Sequence, residues 1–223
     1  MSIMESGKKP KIIVFASGSK NGGGSGFREM VENSRTVPAV LDAEIVAVVS
    51  NHEYGGVRKI AKKLGITFIH WQQHFCNVCY LELFEAFEAD YVMLSGWLKL
   101  AQGLDPAKTV NIHPGPLPVY GGPGMYGHFV HEAVIKDFKA GKITQSAVTM
   151  HFVDEEYDRG PIIHQAPVLI RDDDTSKTIA ERVNEVERVI QSRVLNRVVN
   201  DDIFYHDGKV FYKDSNLKNE WYL

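Results

Sequence analysis

Short uninterrupted runs of apolar residues recur along the first half of the chain. They are Lys11–Ser17, Ala43–Ser50, Ile66–Ile69, Asp90–Ser95 and Thr109–His113. A strand that is covered on both faces has this continuous apolar character, and such strands are typical of parallel sheets. The pattern therefore predicts five strands of a buried parallel sheet.

Segments with helical periodicity separate or follow these runs. They are Gly26–Asn33, Val57–Leu64, Val78–Glu88, Tyr126–Ala140 and Ser176–Val199. Strands that alternate with helices at this spacing predict βαβ units. We therefore expect an α/β protein.

The pattern changes in the second half of the chain. Ser146–Val153 alternates between apolar and polar residues, and Pro161–Ile170 is another extended segment. Alternation indicates that the sheet turns antiparallel or reaches an edge here. Ile203–Tyr212 predicts a hairpin with Asp207-Gly208 as its turn. Thr175 is a suitable N-cap for the last long helix.

Length and charge narrow the possible functions. The 223 residues suit one domain over 1–223, with a core over about 11–199 and the hairpin at 203–212. The formal net charge of -3 gives no global attraction to nucleic acid or to an anionic membrane. No apolar run approaches the ~18–20 residues that span a bilayer. Because Met1–Lys11 is polar and no signal core follows it, we expect a cytoplasmic protein.

Glycine and proline are concentrated in two places. Five of the 19 glycines lie in Gly18–Gly26, and four of the nine prolines lie in Pro114–Pro123. A glycine loop between a strand and a helix turns backbone N–H groups towards an anion. Its spacing matches neither the dinucleotide pattern nor the phosphate-binding P-loop. Two interpretations of the glycine loop therefore remain: a cradle for a phosphate or carboxylate, and a simple surface loop.

Candidate chemistry lies at the end of the fifth predicted strand. Asn111 and His113 are two residues apart, so both project from one face at the carboxyl edge of the sheet. An amide donor beside an imidazole can bind a developing oxyanion and deliver a proton. A carboxylate such as Asp158 would orient the imidazole. His113 as a plain strand end and Asp158 in a solvated turn are the alternatives.

These motifs occur in an order that resembles a known family. The order is Asn111-Ile112-His113-Pro114, then Leu117-Pro118, a strand with His151, and Tyr157-Asp158-x-Gly160-Pro161. It is similar to the formyltransferases that use 10-formyltetrahydrofolate, over roughly residues 11–199. The resemblance implies a Rossmann-like open, mostly parallel sheet with helices on both faces, the formyltransferase fold. It also implies formyl transfer from 10-formyltetrahydrofolate, as co-substrate and without a metal, to the amine of a phosphorylated glycinamide in purine synthesis.

The resemblance assigns residues to three roles. Asn111 and His113 act on the formyl group, and Asp158 supports His113. The substrate-binding residues are Gly24, Ser25, Gly26, Asn184 and Glu187. The folate-binding residues are Trp97, Leu98, Lys99, Leu100, Ala101, Asn111, Asp154, Glu155, Glu156 and Tyr157. The loop departs from the family's usual Gly-Ser-Asn, because Gly26 stands in the third position.

The partners implied are small molecules, with no nucleic acid and no membrane, for a monomer or a homodimer. Other functions remain open at this point. One is formyl transfer to another amine, such as an amino sugar nucleotide. Another is a non-catalytic module that binds a nucleotide or a folate. The Gly121–Gly127 segment is either a lid over the substrate or a mobile connection.

Two further features invite other interpretations. Cys76-x-x-Cys79 lies near His70 and His74, which suggests zinc or redox chemistry. With only two cysteines, we expect no disulfide framework and ordinary packing of both. The last helix carries several arginines, and we expect them to form its solvated face. They are Arg182, Arg188, Arg193 and Arg197.

Overall fold

The computed structural model describes residues 8–72 and 74–215. The strands are β1 (Lys11–Phe15), β2 (Glu44–Ser50), β3 (Thr67–His70), β4 (Tyr91–Ser95), β5 (Thr109–His113), β6 (Gln145–Phe152), β7 (Ile162–Leu169), β8 (Ile203–His206) and β9 (Lys209–Tyr212). The α-helices are α1 (Ser25–Ser34), α2 (Gly56–Leu64), α3 (Asn77–Ala86), α4 (His128–Lys139) and α5 (Ser176–Val199).

Seven of the strands form one sheet in the order β3-β2-β1-β4-β5-β6-β7. The pairs among β1 to β5 are parallel, whereas β6 is antiparallel to β5 and β7 is antiparallel to β6. The predicted α/β fold and the predicted change of strand direction are both confirmed. The chain returns from the edge strand β3 to place β4 on the other side of β1. Ligands bind at such a switch point, beyond the carboxyl ends of the strands.

Both faces of the sheet are covered, as the continuous apolar strands predict. Ile12 and Val14 belong to a core that includes residues of α1, α2, α4 and α5. Ile13 and Phe15 point to the opposite face, where Tyr80 of α3 packs against them. Because neighbouring residues of a strand face opposite ways, one short apolar run supplies both cores.

Glycine conformations explain why α4 begins later than the sequence predicts. Tyr126 was expected to open the helix, but Gly124 and Gly127 have φ angles of 86° and 53°, and α4 starts at His128. A right-handed helix excludes such angles. The predicted turn of the β8–β9 hairpin has positive φ at both Asp207 and Gly208, as a type I′ turn requires.

The interpretation of the cysteines is corrected by the structure. Cys76 and Cys79 form a disulfide at the start of α3, so the expectation of ordinary packing was wrong.

The predicted single domain over 1–223 includes residues outside the described ranges, and it stays a prediction. The polar segment Met1–Lys11 is described only from Lys8 onwards. Within the described ranges, no helix has the length and apolar character needed to cross a membrane.

Helix α5 begins at a dense set of hydrogen bonds. The Thr175 hydroxyl accepts from the Thr178 backbone N–H, and the Thr178 hydroxyl accepts from the Thr175 N–H, which completes a capping box. The buried carboxylate of Asp174 accepts from the Arg171 N–H at 2.7 Å, from Thr178 Oγ1 at 2.7 Å and from Arg182 at 2.6 Å. The start of α5 is thereby fixed beside the end of β7.

We predict that Asp174→Ala destabilises the fold by about 1.5–3 kcal/mol, the usual range for hydrogen bonds to a charged group. Arg182 holds the pKa of Asp174 well below its usual range. The stability that ionised Asp174 contributes is therefore complete above pH 3.8 and is lost as the pH falls further. Urea unfolding at pH 7 and at acid pH measures both effects. The exposed Asp172→Ala is the matched control, and an equal loss in the two variants would contradict the prediction.

Candidate active site

A cavity of about 590 Å³ opens at the carboxyl ends of β1, β4 and β5. This volume is within the range of small-molecule sites. Its wall includes the glycine loop after β1, the turn after β4, the end of β5, the segment before α4 and one side of α5. The cavity therefore lies at the switch point of the sheet.

Asn111, His113 and Asp158 meet in this cavity. Asp158 Oδ1 lies 3.5 Å from His113 Nδ1 and accepts a hydrogen bond of 3.3 Å from Asn111 Nδ2. Both the His113 ring and the Asp158 carboxylate are almost fully buried, at 4% and 11% side-chain exposure. The structure thus brings together the three residues that the sequence pattern suggested, including the contact that the sequence alone left open.

A backbone carbonyl determines which ring nitrogen of His113 carries a proton. Its Nε2 lies 2.8 Å from the carbonyl oxygen of Tyr120. A carbonyl only accepts, so Nε2 carries a proton and donates it. Nδ1, which faces Asp158, is then the nitrogen that gains or loses a proton. Tyr120 is held in turn by its hydroxyl, which donates to Asp137 at 3.0 Å.

His151 positions Asn111 from the neighbouring strand. The two residues are direct cross-strand partners in the β5–β6 pair. His151 Nδ1 lies 2.7 Å from the carbonyl oxygen of Phe152 and therefore donates. In the neutral ring, Nε2 accepts the Asn111 Nδ2–H at 2.9 Å. The sequence motif contained His151 but gave it no role; its place opposite Asn111 in an antiparallel register is the signal that would have found it.

The ionised form of Asp158 is stabilised despite its burial. Burial alone would raise its pKa, but the imidazole of His113 and the N–H of Gly122 outweigh that effect. The pKa of Asp158 is therefore held well below its usual range. The Gly122 N–H donates to Asp158 Oδ2 at 3.0 Å, and Gly122 begins the part of the Gly121–Gly127 segment that lines the cavity. This segment thus belongs to the cavity wall.

The glycine loop forms the other end of the cavity. Gly23 and Gly24 have φ angles of 87° and 85°, which strongly favour glycine, and Gly24 is the N-cap of α1. A side chain at Gly26 would collide with Ser95 Oγ and would come within 2.6 Å of Gln191 Oε1. The start of α1 therefore packs closely against Ser95 of β4 and Gln191 of α5 at this position.

Helix α5 contributes Asn184 and Glu187 to the same end. Asn184 Nδ2 donates to Ser25 Oγ at 3.3 Å and to Glu187 Oε2 at 3.1 Å. Burial raises the pKa of Glu187 to about 7, although the Asn184 hydrogen bond and the charge of His113 oppose the rise. Gly24, Ser25, Gly26, Asn184 and Glu187, the five predicted substrate residues, all line the cavity.

Arg188 also lines the cavity, and its Nε donates to the Asn184 carbonyl at 3.3 Å. The prediction of a solvated arginine face was wrong for this residue and for Arg182, which binds buried Asp174. Arg193 is exposed, and Arg197 binds Asp202 at 3.3 Å. Charge and helical spacing alone do not reveal that α5 turns the side of Arg188 towards α1.

The residues predicted to bind folate divide into two groups. Trp97, Leu98, Asn111 and Tyr157 line the cavity. Lys99, Leu100, Ala101, Asp154, Glu155 and Glu156 are not part of its lining. Leu100 instead accepts from the Tyr80 hydroxyl at 3.1 Å, and Ala101 is buried in the core beside α3. The cavity therefore does not support these six assignments, which rest on the resemblance alone.

Comparison with known proteins adds independent findings. The model of the formyl transferase family matches residues 10–195. A phosphoribosylglycinamide formyltransferase of Vigna unguiculata, described as chloroplastic, is 32% identical over 96% of this chain and 69% of its own length. The enzyme of the same name from Bacillus subtilis is 29% identical over 85% of this chain and 94% of its own.

Solved structures give the same result for the fold. A glycinamide ribonucleotide transformylase from Symbiobacterium toebii superimposes with a TM-score of 0.79 at 22% identity, over 96% of this chain and 99% of that one. A phosphoribosylglycinamide formyltransferase from Brucella melitensis gives a TM-score of 0.72 at 28% identity, over 86% and 96%.

We predict that the carboxyl group of Glu187 titrates near pH 7. Between about pH 4.5 and pH 7 the folded chain keeps a proton that the unfolded chain has released, so this group lowers the free energy of unfolding as the pH rises. Carbon-detected NMR of the glutamate carboxyls measures the pKa, and Glu187→Gln identifies the resonance. The variant should become more stable relative to wild type from pH 5 to pH 8. A Glu187 carboxyl that titrates near pH 4.5 would contradict the prediction.

Proposed function

The chain belongs to the formyl transferase family, and on that premise we propose that it transfers a formyl group from 10-formyltetrahydrofolate to the amine of 5-phosphoribosylglycinamide. This is a step of de novo purine biosynthesis. The observation that carries the proposal is the meeting of Asn111, His113 and Asp158 in a cavity that is also lined by the glycine loop before α1. The names of the relatives support the same acceptor.

The reaction forms one carbon–nitrogen bond and breaks another. The acceptor amine attacks the formyl carbon, and the formyl oxygen becomes an oxyanion in the tetrahedral intermediate. The bond to N10 of the folate then breaks, N10 gains a proton and the amine loses one. The site must therefore stabilise an oxyanion and move a proton.

Asn111 and His113 supply these two functions. The Asn111 amide has a shorter bond to His151 and a longer one, of 3.3 Å, to Asp158. The longer bond is the one that a formyl oxygen replaces as it enters. Because Nε2 of His113 is committed to the Tyr120 carbonyl, proton exchange takes place at Nδ1. Ionised Asp158 stabilises the protonated imidazole, which in turn stabilises the oxyanion.

The acceptor phosphate binds at the glycine loop and the start of α1. Backbone N–H groups at a helix N-terminus suit a phosphate. Arg188 adds a permanent positive charge, and it is the one arginine or lysine among the described residues that line this cavity. Asn184 and Glu187, next to it on α5, are placed to contact the sugar and the glycinamide.

The reduced folate binds along the part of the wall that Trp97, Leu98 and Tyr157 form. Their apolar surfaces suit a flat pterin ring. In this proposal the formyl group lies beside Asn111 and His113. Folate is a co-substrate in this proposal, and the reaction requires no resident metal.

The other functions that the sequence left open have less support. An amino sugar nucleotide as acceptor and a non-catalytic binding module both disagree with the names of the relatives compared above. The cytoplasmic location and the choice between a monomer and a homodimer stay predictions from the sequence. The word chloroplastic in the name of the Vigna protein applies to that protein.

We predict that His113→Ala lowers kcat for formyl transfer by about 10²–10³, the usual cost of losing one oxyanion-stabilising group. KM for both substrates should change little, because the ring acts on the reacting atoms. The assay follows the folate product with 10-formyltetrahydrofolate and glycinamide ribonucleotide. A parallel reaction without the amine detects simple hydrolysis. Undiminished turnover by His113→Ala would contradict the proposed mechanism.

We predict that Arg188→Ala raises KM for the phosphorylated acceptor about tenfold, equivalent to a loss of roughly 1.4 kcal/mol, with kcat nearly unchanged. The reason is the loss of the cation that faces the phosphate. Steady-state kinetics with the acceptor varied gives both constants. Arg193→Ala, on the exposed side of the same helix, is the matched control. An equal rise in KM in both variants would show that Arg188 contributes no more to phosphate binding than an exposed arginine does.

A further inference from the structure

The disulfide between Cys76 and Cys79 has no role in the proposed reaction. The two residues are three positions apart, with their Cα atoms 5.3 Å apart. Cys76 is the N-cap of α3, and Cys79 lies in its first turn. Cys76 is exposed and Cys79 is half-buried. The bond is therefore accessible from solvent on the side of Cys76.

The surroundings favour thiol chemistry over metal binding. The N-terminus of a helix stabilises a thiolate, and the two sulfurs lie at the N-terminus of α3. The Nζ of Lys99 lies 5.4 Å from the ring of Phe75, the residue before Cys76. In the part of the chain that the structure describes, no group of three or more His, Cys, Asp or Glu residues is arranged to hold a metal ion.

The residues that flank the disulfide hold one wall of the cavity. Phe75, directly before Cys76, packs against Trp97 with ring centroids 5.6 Å apart. Tyr80, directly after Cys79, accepts a hydrogen bond of 2.8 Å from Trp97 Nε1. Trp97 is only 7% exposed and lines the cavity. The disulfide thus lies between two residues that contact Trp97, whose ring also contacts those of Phe15 and Trp71.

We propose that Cys76 and Cys79 form a thiol–disulfide exchange site whose redox state controls how firmly Trp97 is held in the cavity wall. A thiolate of a dithiol reductant attacks Cys76 Sγ, forms a mixed disulfide and releases Cys79 as a thiolate, which takes up a proton. The second thiol of the reductant then displaces Cys76. Two electrons and two protons pass from the reductant to the cysteine pair. The predicted effect on folate binding rests on the proposed function, whereas the exchange itself does not.

The first experiment tests the exchange without any enzyme activity. Iodoacetamide alkylates two samples, protein purified in air and protein treated with dithiothreitol. Mass spectrometry then measures the mass of each. We expect no label before reduction and two labels after it, with oxidised glutathione restoring the unlabelled state. Tryptophan fluorescence should change with reduction and return on reoxidation. Labelling of both cysteines before reduction would overturn the proposal. Equal tryptophan fluorescence of the oxidised and the reduced protein would also overturn it.

The second experiment tests the link to the cavity. Reduction should raise KM for 10-formyltetrahydrofolate at least about fivefold, the lower end of usual coupling between two sites, and should leave KM for the phosphorylated acceptor unchanged. Cys76→Ser should behave like the reduced protein in either condition, and Cys76→Ala serves if the serine variant does not fold. Equal KM values for the folate in oxidised and reduced wild type would overturn the link. If the cysteine pair exchanges reversibly but the protein transfers no formyl group, the proposed function is refuted and the proposed exchange site stands.

Discussion

The buried carboxylate of Asp158 is the constraint on which the site depends. A charge removed from water is costly unless it is paired and hydrogen-bonded. Here His113, His151, Asn111 and the Gly122 N–H surround it. Two of these residues, Asn111 and His113, are also the ones that we propose to act on the formyl group. Their contacts with the buried carboxylate are therefore contacts that the proposed reaction also uses.

Sheet topology supplies this arrangement. The antiparallel pairing of β5 with β6 sets Asn111 opposite His151, so a hydrogen bond between them follows from the register. Asp158 lies in the connection between β6 and β7 and has a φ of 55°. Aspartate tolerates this left-handed conformation better than most residues do. The glycine loop reaches the same cavity from β1 because β1 lies next to β4 at the switch point.

The parts of the fold that were predictable from sequence are those that depend on local patterns. Thr109–His113 and Ser176–Val199 have the predicted bounds, since a proline ends the first and a threonine caps the second. The two-residue spacing of Asn111 and His113 also predicted that both side chains project from one face of the strand. The roles of His151 and Arg188 were not, because they depend on strand register and on how α5 packs against α1. The disulfide was missed because a spacing of three residues does not distinguish a bond from packing.

The most direct test of a catalytic role for this carboxylate is the turnover of Asp158→Asn in formyl transfer from 10-formyltetrahydrofolate to glycinamide ribonucleotide. Asparagine keeps the shape of the side chain but removes its charge, and with it the stabilisation of protonated His113. We expect kcat to fall by about 10²–10³, with KM for both substrates close to that of the wild type. Turnover equal to the wild type would contradict the assignment of this cavity as the site of formyl transfer.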